Sequence, residues 1–191
     1  MRPVPKPGWT ASKPSSNDTL GEAIVKSNRL AATLMLALAC GATGAPAAPP
    51  AAAVAVAPLP VSLALQAAKA ALAACVAQGL TVTVTVTDRE GVARVVLLGD
   101  GTGALSIITS RRKAYTAAAL GMTTEQLVKN LSGSNFDLAM IDPELVALAG
   151  GIPIMRHNVV IAALGVGGAD RGDADVVCAQ AGVDAIKNQL D

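Results

Sequence analysis

Residues 81–87 read TVTVTVT, a strict alternation of β-branched side chains. A period of two puts Val on one face and Thr on the other, which predicts a strand with Val in the core and Thr outward or under a second layer. Asp88-Arg89-Glu90-Gly91 follows as a hairpin turn, and 92–98 returns as a second strand. Upstream, Ser62 can cap a helix to Gln78 with Gly79 as its stop, and Leu65, Ala68, Leu72, Cys75 and Val76 fall on one helical face. Downstream, a Gly-rich loop at 99–103 leads into the helical stretch 106–122 (SIITSRRKAYTAAALGM), with Gly121 as its stop. Thr123 and Gln126 have the spacing of a capping box, which predicts a short helix after it. The pattern then predicts strands at 145–148, 152–156 and 159–166, with Gly150-Gly151, His157-Asn158 and Gly167-Gly168 as breaks. A last helix runs to Leu190, capped by Asp173 or Asp175. The order α, ββ, αα, βββ, α predicts an α+β domain: a five-stranded antiparallel sheet flanked by helices.

Before this domain, Lys26 and Arg29 precede the apolar run 30–39 (LAATLMLALA), and small residues and prolines follow. That is the order of a secretory signal, and the run is shorter than the roughly 20 residues that cross a bilayer. Cleavage after Ala39 or Ala47 fits the small-residue rule, and a lipoprotein site at Cys40 is the alternative. The expected layout has residues 1–24 as a Pro- and Ser-rich stretch upstream of a start at Val25. A signal peptide at 25–47, an Ala/Pro linker at 48–58 and the domain at 59–191 follow, so the mature form has no transmembrane span and is periplasmic or secreted.

Composition narrows the function. The chain is 52% hydrophobic but only 2% aromatic, so the core is built from Ala, Val, Leu and Ile. The net charge of +1 conceals a basic leader: five cations and two acids precede residue 45, which leaves the domain at −2. A slightly acidic domain with one Tyr and one Phe suits neither phosphate neutralisation nor base stacking, which argues against nucleic acid as a partner.

Several strings together resemble the GlcG/HbpS family of haem-binding or haem-degrading domains. They are Gln78-Gly79-Leu80 before VTVTVTD, Arg111-Arg112-Lys113-Ala114-Tyr115-Thr116-Ala117, Gly150-Gly151-Ile152-Pro153-Ile154, Ala162 to Gly168, and Cys178-Ala179-Gln180-Ala181-Gly182. The resemblance spans about 59–191. It implies a profilin-like sheet, homo-oligomerisation, and tetrapyrrole binding in some members, so haem is the expected cofactor. It also implies that Lys113, Tyr115 and Thr116, with Arg112 beside them, form the ligand site. The residues permit this reading: guanidinium and ammonium groups pair with propionates, and Tyr115 can stack on a flat ligand. The alternative is a solvated basic face with subunit contacts.

Other candidate chemistry is sparse. Gly99-Asp100-Gly101-Thr102-Gly103 lacks the Gly-Lys-Ser/Thr of a nucleotide loop and follows a hairpin strand, which leaves a plain turn. His157 is the single histidine, so histidine-based triads and multi-histidine zinc sites are excluded. It is chemically able to be an axial haem ligand but lies in a turn, where a surface role is the default. Met122, Met140 and Met155 are able to be soft ligands but read first as core filler, and Asp170, Asp173 and Asp175 read as capping acids. Cys75 and Cys178 remain after leader removal, and in an exported protein they are expected to form a disulfide rather than stay as buried thiols. No nucleophile–base–acid set appears. The sequence therefore points to a non-catalytic small-ligand binding protein. A haem- or peroxide-linked redox enzyme, or an accessory partner of an extracytoplasmic sensor, stand as alternatives.

Overall fold

The computed structural model describes residues 57–190. The leader, the linker up to residue 56, Cys40 and the proposed start at Val25 lie outside them. The Val/Thr alternation becomes β1 (Thr83–Asp88), which is hairpinned to β2 (Ala93–Leu98). With β3 (Gly151–Arg156) and β4 (Val159–Gly167) it forms one antiparallel sheet in the order β2-β1-β4-β3. Helices α1 (Val61–Val76) and α4 (Gly172–Asp184) pack on one face, and α2 (Ala104–Leu120) on the other, followed by the short α3 (Thr124–Leu131). The α+β class and the antiparallel sheet follow the sequence pattern.

The sheet has four strands where five were expected. Residues 145–148 pair with no strand. Their backbone is diverted to α2, and Val146 N–H donates to Thr116 Oγ1 at 3.0 Å. The last helix also stops at Asp184, and a separate 3-10 turn, Lys187–Gln189, completes the chain end. Neither Asp173 nor Asp175 is the cap. Arg171 holds that position and both acids lie in the first turn, where the helix dipole favours them. At α1 the cap is Pro60 rather than Ser62. The capping box is present as predicted, with Gln126 N–H and Thr123 Oγ1 at 3.2 Å and the reciprocal bond also at 3.2 Å.

Val82, Val84 and Val86 bury fully into the core shared with α1 and α4. The buried face of α1 is Ala64, Ala67, Ala68, Ala71 and Cys75, whereas Leu65 and Val76 are exposed. Small residues won because α4 crosses closely: a Cβ on Gly182 would lie 2.8 Å from both Ala67 O and Ala71 Cβ. Cys75 and Cys178 form a disulfide between these helices, with Cα atoms 5.4 Å apart. Closing a loop of 103 residues stabilises the fold by up to about 4–5 kcal/mol in the chain-entropy model.

Thr83, Thr85 and Thr87 are buried on the opposite face, beneath α2. Thr83 Oγ1 bonds Ser106 Oγ at 2.7 Å and Thr85 Oγ1 bonds Ser110 Oγ at 2.9 Å, so this second layer is stitched by hydroxyls. The helix lies so near the sheet that a Cβ at Gly165 would meet Ser110 O and sit 2.5 Å from Ala114 N. One at Gly167 would sit 2.8 Å from Ser110 N. We expect Gly165→Ala to destabilise the fold by about 2–3 kcal/mol or more, because neither backbone can yield without moving a whole element. Urea unfolding of the mature domain measures this, and an unchanged midpoint would mean that α2 is not seated this tightly.

Candidate functional site

The run Arg111-Arg112-Lys113-Ala114-Tyr115-Thr116 occupies the middle of α2, and its polar side chains divide between two surroundings. Lys113 turns inward. Its Nζ lies 2.6 Å from Asp175 Oδ2, and the two residues are only 4% and 1% exposed. Asp175 Oδ1 also accepts from Ala169 N–H at 3.3 Å. The pair therefore ties α2 to α4 at one end of the sheet. Lys113 passes Gly150, where a Cβ would sit 3.1 Å from Nζ and 2.7 Å from Asp175 Cβ. Burial pushes the Asp175 carboxyl above its ordinary range, against the opposing pull of the Lys113 charge and hydrogen bond.

The other four polar side chains meet a strap formed by residues 138–149. Arg111 hydrogen-bonds Glu144, and Arg112 Nη2 lies 3.6 Å from the same carboxylate. Tyr115 OH donates to Asp142 Oδ2 at 2.5 Å, and Thr116 accepts from Val146. Asp142 Oδ1 accepts from Glu144 N–H at 2.8 Å, which folds the two acids toward α2. Arg112 Nε is buried and has no hydrogen-bond partner. The strap exposes Met140 (86%), Ile141 and Leu148 and buries Leu145, so much of its hold on α2 is polar. Met140 and Met155 are both exposed, which corrects their reading as core filler.

A pocket of about 400 Å³ opens on the Lys113 side. Lys113 and Asp175 line it together with Gly103 and Ser106 at the start of α2, Leu148 and Ala149 from the strap, Asp170 before α4 and Gly172 at its first position. Arg112, Tyr115 and Thr116 are not in its lining. His157 lies in the β3–β4 hairpin turn with φ +48°, at the opposite end of these strands from Gly151 and Gly167. Among the described residues no group of three or more His, Cys, Asp or Glu is placed to hold a metal ion, and no helix is long and apolar enough to cross a membrane. The sequence reading missed Asp142, Glu144 and Asp175 as partners. The acids lie 27 to 62 residues from the α2 side chains they meet, with no local pattern linking them.

The family model for the haem degrading protein HbpS-like family matches residues 59–184. The chain belongs to the HbpS-like family. A double mutant of Streptomyces reticuli HbpS is 36% identical, covering 74% of this chain and 99% of that one with a TM-score of 0.65. Two solved structures share the fold at 23% identity and TM-score 0.63: Klebsiella pneumoniae protein ORFY, covering 68% of this chain and 90% of that one, and PduOC in complex with haem, covering 68% and 96%. No curated protein matches.

Two predictions follow from this geometry. The hydrogen bond to Asp142, then burial and the acidic neighbours, raises the Tyr115 hydroxyl above its ordinary 10.0, while the bond from Tyr115, then that from Glu144 N–H, lowers Asp142 below 3.8. The raised group keeps its contribution below pH 10.0 and loses it as pH rises through the folded value. The lowered group keeps its contribution above 3.8 and loses it as pH falls through the folded value. Tyr115 is the only tyrosine, so alkaline absorbance titration should show one transition above pH 10.0, moved down in Asp142→Asn. Coincident curves would mean that the strap does not hold Tyr115.

For the buried pair, Lys113→Met alone should cost about 3–5 kcal/mol, because it leaves the Asp175 carboxylate uncompensated. Lys113→Met with Asp175→Leu should recover most of that loss in urea unfolding, and equal losses would argue against a direct pair.

Proposed function

We propose that this chain is an exported haem-binding protein that holds its ligand on the strap-covered face of α2. The observation that carries the reading is the buried, unpartnered Nε of Arg112, which with Arg111 faces Glu144, near exposed Ile108, Met140 and Ile141. Haem is an apolar disc with two carboxylates, and these residues fit it. Arg111 and Arg112 would take propionates, Ile108 and Ile141 would cover the ring, and Tyr115 or Met140 would offer a donor to iron. When bound, haem would supply redox-active iron, while this chain's residues bind it, orient it and limit its contact with water. Thr116 positions the strap through Val146, which gives it a supporting part in the same site. Membership of a haem degrading family and the relatedness to HbpS support the ligand class.

The disulfide and the signal-like leader support export to the periplasm or outside the cell. Exposed Phe136, Met140 and Ile141 support a homo-oligomer or a docked sensor protein, and a profilin-like sheet belongs to this reading. The family's description as haem degrading favours one second reading, turnover of bound haem when a reductant is supplied.

Hemin titration of the mature domain, followed by absorbance, tests the proposal. We expect a saturable Soret change that weakens about tenfold or more in Arg112→Ala, the size of one charge-assisted contact, and is unchanged in His157→Ala. Loss of the change in His157→Ala would move the site to the hairpin end of the sheet, and no saturable change at micromolar hemin would reject haem. Decay of the Soret band with a reductant and oxygen, with release of an open-chain tetrapyrrole, would establish the enzymatic reading.

A further inference from the structure

The pocket beside Lys113 shares only the end of the strap, Leu148 and Ala149, with the face assigned to haem and includes none of Arg111, Arg112, Tyr115 or Thr116, and its lining calls for a different ligand. Its volume of about 400 Å³ is in the range of small-molecule sites. It is lined by an almost fully buried ion pair, in a position where apolar residues of similar volume often stabilise a fold as well or better. Lys113 can offer further ammonium hydrogens beyond the one that Asp175 takes. On the same side the first turn of α2 begins at Gly103 with no side-chain cap; Ser106 N–H donates to Gly103 O at 3.0 Å, which leaves the Ala104 and Leu105 amides for a carboxylate. Asp175 and the rim residue Asp170 supply the opposite charge, and Thr109 adds a hydroxyl. Leu105 and Leu148 form the apolar walls.

The lining carries groups of both signs side by side, the Lys113 ammonium against the Asp175 carboxylate with Asp170 at the rim, so a simple anion or a simple cation satisfies only one kind. A molecule with a carboxylate and an ammonium a few bonds apart meets both kinds at once. We propose that this pocket is a second binding site, separate from the haem face, for a small zwitterion of the free amino acid type with an apolar side chain. The carboxylate lies toward Lys113 and the α2 terminus, the ammonium toward Asp175 and Asp170, and the side chain between Leu105 and Leu148.

Calorimetric titration of the mature domain with L-leucine tests this, beside 4-methylpentanoate and 3-methylbutylamine, which keep the shape and lack the ammonium or the carboxylate. L-leucine should bind saturably and each analogue at least about tenfold more weakly. Asp170→Asn and Thr109→Val leave the buried pair intact, and each should weaken L-leucine at least about threefold without altering the hemin titration. No heat and no rise in Tm with L-leucine up to about 10 mM would overturn the site, and equal binding of 4-methylpentanoate would overturn the zwitterion. Variants that weaken hemin and L-leucine together would overturn the separation of the two sites, while failure of hemin alone to bind would leave this proposal standing.

Discussion

Helix α2 rests on the sheet where side chains would ordinarily stand. Its backbone occupies the space that Cβ atoms of Gly165 and Gly167 would fill, and Lys113 O lies where a Cβ on Gly151 would go. This seat fixes the rest of the site. At so short a distance only hydroxyls and methyl groups fit between the layers, hence Thr83 on Ser106, Thr85 on Ser110, and Ala117 and Ala118 against Ala163. A long side chain on the inward face has nowhere to go except round the end of the sheet. Lys113 takes that route past Gly150 to Asp175. The basic run on α2 is thereby divided, one cation inside and two at the surface.

The division gives each face its chemistry. Inside, a paired ammonium and carboxylate line a pocket and hold α2 and α4 together. Outside, Glu144 and Asp142 lie on the residues to which we assign haem carboxylates and ring, so a ligand there meets internal acids already in place. These strap contacts are half-exposed and each contributes modestly, whereas the inner pair is dry and costly to break. A partly open outer face over a rigid inner one is what a binding surface on a stable scaffold requires.

Much of the fold could be read from local pattern because local chemistry decides it. TVTVTVT has one period, the Thr123–Gln126 box one geometry, and Gly121 one role as a left-handed stop with φ +64°. The disulfide was legible from two cysteines in a chain whose leader reads as a secretory signal. The strand expected at 145–148 was not formed, because tertiary contact with Thr116 outweighed a short apolar run. On α1, spacing favoured Leu65 and Val76, while close helix crossing selected alanines, a choice that depends on Gly182 more than 100 residues away. At the site, the sequence marked the right helix and the right basic run. It could not mark which cation faces inward, because that depends on glycines in two strands and acids in two distant segments.

Hydrogen–deuterium exchange of the mature domain with and without hemin tests the two-faced helix most directly. The account predicts altered protection over the strap at 138–149 and over Arg111, Arg112 and Tyr115. Residues 168–175 and the inward turn at Lys113 should exchange as in the free protein. Protection changes centred on 168–175, with the strap unaffected, would place the ligand at the inner pair and contradict the division on which the account rests.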